Sequence, residues 1–219
     1  MAKKEKRERF VSPVATGAFL ALTSPYTKKG ANDYIAKVAF DPSNKEHAEF
    51  LKKLDGLNRQ MGTKCKEDFP KYAKTMKLRK LAKPEMDSED QPTGRMFVVF
   101  KQKAEAGKGD KKFTFKVAVF DAKGKPVSKD IKIGAGTQVK VAFEVDATFY
   151  EKERDGGARL RLVAAQIVKL VEWEGGTAES FGFSEEEGFD SVDALTEKTE
   201  DGEAEEETPE AGAEESTDF

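Results

Sequence analysis

The chain has 219 residues, 37% hydrophobic and 36% charged, which is room for one ordinary domain with attachments or two small ones, part of the chain being a solvated appendage. Its single cysteine and single histidine exclude an intrachain disulfide framework, a Cys-based zinc site and most His-dependent catalysis. The formal net charge of −3 conceals an asymmetry: residues 185–219 carry sixteen acidic residues and one basic, −15, which leaves 37 basic and 25 acidic residues, +12, in residues 1–184.

The charged stretch Met1–Arg9 has no apolar run of signal-peptide type behind it, and no apolar stretch approaches the roughly 20 residues of a membrane span. A soluble protein of a reducing compartment is expected. Residues 10–22 mix apolar positions with Pro13 and Gly17 and read as a bent first strand. Tyr34–Phe40 is a second strand, ended by Asp41-Pro42-Ser43-Asn44. Phe50, Leu54, Leu57 and Met61 recur at i, i+4, i+7 and i+11, one face of a helix. Ser43 or Asn44 supplies its N-cap, and Glu46 lies near the positive end of its dipole. A basic stretch from Lys64 to Lys83 follows, and Pro84–Pro92 reads as a loop.

Strands dominate the rest of the body. Arg95–Lys101 is apolar and β-branched or aromatic, and residues 104–112 form a Lys-rich connection. Phe113, Phe115, Val117 and Val119 alternate with Thr114, Lys116 and Ala118 at the strand period of two. Residues 121–126 are a turn. Val139, Val141, Phe143 and Val145 alternate again, Asp155-Gly156-Gly157 is a turn, and Leu160 and Leu162 open a last strand that runs to Leu170. Phe113, Phe115 and Phe143 belong to the inner face. About six strands with one helix predict a mainly β fold: a closed five- or six-stranded barrel of the oligonucleotide/oligosaccharide-binding type with one helical insertion. An open sandwich fits the strand count nearly as well. Gly175-Gly176 reads as a hinge, which divides a barrel domain, residues 1–176, from a tail, residues 177–219. The tail is expected to be disordered, since its acidic runs have nothing to bury.

Little here serves an enzyme. Gly134-Ala135-Gly136 lacks a third glycine and a following helix, so it is a turn or bulge, and Gly107-Lys108-Gly109 lacks phosphate-loop spacing. His47 is expected to face solvent at the helix start, and Cys65 to be a semi-buried small hydrophobe. Glu151 and Glu153 are strand-end charges with no companions for a two-metal site. No metal or cofactor is expected.

Basic and aromatic residues on the same strands carry more meaning. Binders of single-stranded nucleic acid need cations along the phosphates and rings on which bases stack. Lys101, Lys116, Lys140, Arg159 and Arg161 are strand candidates for the cationic track, with Lys77, Arg79, Lys80, Lys152 and Arg154 on flanking segments. Tyr34, Tyr72, Phe97, Phe149 and Tyr150 are the candidate stacking rings. Phe149 and Tyr150 are adjacent and point to opposite faces of a strand, so at least one of them is exposed. In the tail, Phe181, Phe183, Phe189 and the Asp218-Phe219 end set rings among carboxylates, the two features that single-stranded nucleic acid itself presents.

These residues, with Met1-Ala2-Lys3-Lys4, Tyr34–Val38, Phe113–Lys116, Val119–Lys125, Ile133–Val141, Gly157–Leu162, Val168–Glu172 and the acidic tail, resemble the single-stranded DNA-binding proteins of T-seven-like tailed phages. The resemblance implies an oligonucleotide-binding barrel that coats single-stranded DNA in phage replication and recombination in the cytoplasm of the infected bacterium. It also implies homodimers, strand annealing, and a tail that competes with DNA for the groove and contacts the replicative DNA polymerase and primase-helicase. On this resemblance Lys3 contributes to DNA binding, the groove ring maps onto Phe149 or Tyr150, and Asp218 and Phe219 meet the partner. A protein-interaction or chaperone-like adaptor, its basic barrel holding an acidic protein, is the alternative reading.

Overall fold

The computed structural model describes residues 7–107 and 112–173. Lys3, the Gly175-Gly176 hinge and the acidic tail, including Asp218 and Phe219, lie outside the described residues. The predicted first strand is two: β1 (Arg9–Val11) and β2 (Ala15–Tyr26). Pro13 has no N–H to give a ladder, and Ser12 bridges the break, its N–H donating to the Val141 carbonyl and its Oγ accepting the Val141 N–H, both at 2.9 Å. Then come β3 (Asp33–Phe40) and the helix α1 (Lys45–Asp68). Asn44 is the N-cap, its Oδ1 accepting the N–H groups of Glu46 and His47 at 2.9 and 3.3 Å.

Short strands β4 (Lys77–Leu78) and β5 (Ala82–Met86) precede β6 (Pro92–Lys103). The expected loop at Pro84–Pro92 therefore shrinks to residues 87–91. Asp87 Oδ1 accepts the N–H groups of Glu89 and Gln91 there, and Pro84 is tolerated on an edge strand. The remaining strands are β7 (Glu105–Ala106), β8 (Phe113–Thr114), β9 (Ala118–Phe120), β10 (Gln138–Tyr150) and β11 (Asp155–Lys169).

Five strands close on themselves in the order β10-β2-β3-β6-β11 and back to β10. All neighbours are antiparallel except β6 and β11, which run parallel with Arg161 opposite Lys101. The closed barrel, rather than the open sandwich, is the arrangement found. β1 extends β10, β5 borders β6, and β4 and β9 add to β11 in parallel. Phe40, Phe100 and Phe143 are fully buried inside with Val38, Val98, Val139, Val141 and Leu162. Phe100 and Phe143 pack with their rings tilted by 49° and centroids 5.0 Å apart. On β11 the inward set is Leu160 and Leu162, then Ala165 and Ile167; the parity changes where Val163 is the unpaired residue of a bulge.

Helix α1 packs across β10 and β11. Its buried face is Phe50, Leu54, Asn58, Gly62 and Cys65, and Leu57 and Met61 from the predicted stripe flank it. Polar Asn58 belongs because its Nδ2 donates to the Arg79 carbonyl at 2.6 Å and its Oδ1 accepts the Ala158 N–H at 2.9 Å. Gly157, with φ of 152°, stands where a Cβ would come within 2.5 Å of Asn58 Oδ1. Gly156 and Gly157 thus begin β11 beneath the helix, and the turn expected at 155–157 is instead Glu151–Arg154.

Four further expectations change. His47 is a structural histidine: its Nδ1 accepts the Asp41 N–H at 3.0 Å, so its Nε2 carries the proton and donates to the Val14 carbonyl at 2.8 Å. Cys65 is fully rather than half buried, at 1% exposure. Phe113 and Phe115 lie outside the core, at 62% and 37% exposure, because among the described residues β8 pairs only with β7, in a separate ribbon. Tyr34 points inward at 8% exposure and joins the core, so its ring is not available for stacking.

Candidate nucleic-acid interface

Alternation along the barrel strands sets the outer face. On β6, Val98 and Phe100 turn inward, which sends Phe97, Val99 and Lys101 outward. Lys37 of β3 and Arg159 of β11 emerge beside them by the same rule. The chain leaving α1 runs back across β11, where β4 sets Lys77 opposite Asp155 and Leu78 opposite Gly156, and then continues as β5 along β6. This segment forms a wall beside the outer face. The groove between them has a volume of about 660 Å³.

Its lining includes the cations Lys37, Arg79, Lys80, Lys83, Lys101 and Arg159, the rings of Phe97 and Tyr150, and, among the described residues, no acidic side chain. Lys37, Lys80, Lys83 and Lys101 make no ion pair among the described residues. Arg159 reaches Asp146 at 3.2 Å yet keeps 46% of its side chain exposed. Both rings carry a cation on one face: Lys37 Nζ stands 3.8 Å from the Phe97 centroid, and the Arg79 guanidinium 4.4 Å from that of Tyr150. Tyr150 is 46% exposed, whereas its neighbour Phe149 turns to the opposite face of β10.

The groove brings together Arg79, Lys80, Phe97, Lys101, Tyr150 and Arg159 from the sequence candidates. Lys37 and Lys83 were missing from that set. The signal for Lys37 was its place opposite the inward Ala36 and Val38, and for Lys83 its membership of the basic stretch after the helix. Other candidates lie elsewhere. Phe149, Tyr72 and Phe69 form a second ring cluster, with centroids 5.1 and 5.2 Å from Phe149. Arg154 stands over Tyr72 at 4.6 Å, and the Tyr72 hydroxyl donates to Glu151, which holds the phenol above its ordinary pKa. Lys77 borders a smaller cavity with Arg59 and Lys66. Lys140 lies against Ala142 and Gln166, Lys116 is exposed between β8 and β9, and Lys152 sits in the β10–β11 turn. Arg161 is neutralised by the buried Glu144 and, at 3.8 Å, by Asp146, so it is no free cation.

No protein-family model and no curated protein matches the chain. Solved structures do. The crystal structure of gp2.5, a single-stranded DNA-binding protein encoded by bacteriophage T7, is 17% identical, with a TM-score of 0.62 over 85% of this chain and 100% of that one. The single-stranded DNA-binding protein from bacteriophage Enc34, in complex with ssDNA, is 15% identical, with a TM-score of 0.52 over 76% of this chain and 89% of that one. The same Enc34 protein with a C-terminal truncation gives a TM-score of 0.51 at 15% identity, over 75% of this chain and 87% of that one. The barrel thus shares its fold with these two proteins.

Proposed function

We propose that this chain binds single-stranded DNA without sequence preference and coats it during phage DNA replication and recombination in the cytoplasm of the infected bacterium. The observation that carries the reading is the groove on the outer face of β3, β6 and β11, where six cations surround Phe97 and Tyr150 and, among the described residues, no acidic side chain is part of the lining. Cations of this kind neutralise phosphates, and exposed rings stack bases of any identity. The fold supports the same reading, since the gp2.5 and Enc34 proteins that share it are single-stranded DNA-binding proteins. Lys3 and the second ring cluster of Tyr72 and Phe149, with Lys77, Lys152 and Arg154, extend the DNA path beyond the groove.

In the same proposal residues 1–176 form the binding domain and residues 177–219 an acidic tail that competes with DNA. A tethered segment acts at an effective concentration of order mM, so a weak contact suffices. DNA displaces the tail, whose Asp218-Phe219 end then recruits the phage DNA polymerase and primase-helicase, and the working unit is a homodimer. Fluorescence anisotropy of labelled oligothymidine, with a duplex of equal length as competitor, tests the central claim. Binding that duplex displaces as readily as single strands overturns it.

A further inference from the structure

Arg79 lines the groove, yet its surroundings differ from those of the lysines. Its Nε reaches Asp155 Oδ2 at 3.3 Å, its Nη1 the Ala158 carbonyl at 3.5 Å, and its Nη2 the carbonyls of Thr148 and Asp155 at 3.4 Å each. Its backbone is held as well: its N–H donates to the Gly156 carbonyl at 3.0 Å, and its own carbonyl accepts from Asn58. The side chain is only 15% exposed. Every nitrogen of the guanidinium therefore points at an acceptor within the protein, and its central carbon stands over the Tyr150 ring, 4.4 Å from the centroid. Asp155 Oδ1 is buried with no partner among the described residues, so Arg79 is the group that neutralises this carboxylate. Turning the guanidinium toward a phosphate would strip a partly buried acid of its counter-charge.

We infer that Arg79 is a positioning residue: it contacts no phosphate and backs the ring of Tyr150, leaving the opposite ring face to stack a base. Tyr150 keeps 46% of its surface exposed with the guanidinium standing over one face of its ring. A cation behind the ring also fixes its orientation before DNA arrives, so less side-chain freedom is lost on binding. Lys37 over Phe97 contrasts with this: it has one aromatic contact and no ion pair among the described residues, and is free to leave for a phosphate. The inference rests on the proposed single-strand binding and assigns a different task to one residue within it.

The test compares Arg79→Gln and Arg79→Lys in the full chain, reading oligothymidine affinity across a salt series, alone and combined with Tyr150→Leu. A phosphate contact contributes about 0.7 to the log–log salt slope on single strands. The expected result is that both substitutions weaken binding alike, by about 3- to 10-fold, at an unchanged slope, since lysine cannot reproduce the four-acceptor fork. The loss should vanish in the Tyr150→Leu background, whereas damage to the fold would persist there. A slope reduced by about 0.7 in Arg79→Gln and kept in Arg79→Lys overturns the inference. Should both variants unfold, the Nε–H resonance of Arg79 in the wild-type chain decides: little change on adding oligothymidine supports it, and a large shift of that signal overturns it. A wild-type chain that fails to bind oligothymidine overturns the proposed function itself, an outcome distinct from either of these.

Discussion

Replacing Lys80, Lys83 and Lys101 together by glutamine isolates the electrostatic part of groove binding. All three are exposed, and with Lys37 they are the groove cations without an ion pair among the described residues. If each of the three neutralises one phosphate, they contribute about 2.1 to the log–log salt slope on single strands, whatever the other cations add. The triple variant should therefore have a slope shallower by about 2.1, so that raising salt from about 50 to about 200 mM weakens wild-type binding about 20-fold more than that of the variant. Anisotropy titrations of labelled oligothymidine at five salt concentrations read both slopes, and an unchanged urea midpoint shows that the fold is intact. A triple variant with the wild-type slope would refute the assignment of phosphates to this groove.

Phe97→Ala and Tyr150→Ala should each lose about 1–3 kcal/mol of oligothymidine binding with the salt slope retained, because stacking releases no counterions; equal affinity would remove these rings from the interface. Asn58→Ala leaves the Ala158 N–H and the Arg79 carbonyl without their partner beneath α1, and should cost about 2–4 kcal/mol in urea unfolding. Deleting residues 185–219 changes the formal charge from −3 to +12 and should tighten DNA binding; unchanged or weaker binding would count against tail competition. Asp41 accepts from the Oγ and the N–H of Ser43, which holds its carboxyl below the ordinary range. A depressed folded-state pKa stabilises above the unfolded value of about 3.9 and loses that effect as pH falls through the folded value. The stability gap between wild type and Asp41→Ala should therefore narrow from neutral pH to about pH 2.5 in urea melts, and a constant gap would exclude this linkage.

The exposed Phe113 and the buried Tyr34 show where period-two reasoning stops. Both sit in sequences that alternate, but alternation states only that neighbours face opposite ways, and which face is covered depends on what packs there. Among the described residues β8 pairs only with β7, so the Phe113 ring stays outside, while Tyr34 lies on a barrel strand whose inner side is enclosed.

Local chemistry was enough for several of the elements. The Asn44 cap, the turn at Asp121 to Pro126, the helix from Phe50 onward and the outward Phe97 and Lys101 all follow from residue type and spacing over a few positions. The +12 body and the −15 tail are likewise written in the composition. The groove was decided only in three dimensions. Its wall exists because the segment after α1 lies beside β11, a contact across 76 positions between Arg79 and Asp155. Which arginines remain free depends on pairings as distant as Arg9 with Glu144, 135 positions apart. Charge counts add along a chain, whereas the neutralisation of one charge by another depends on distance in space, and that distance is set by how the barrel closes.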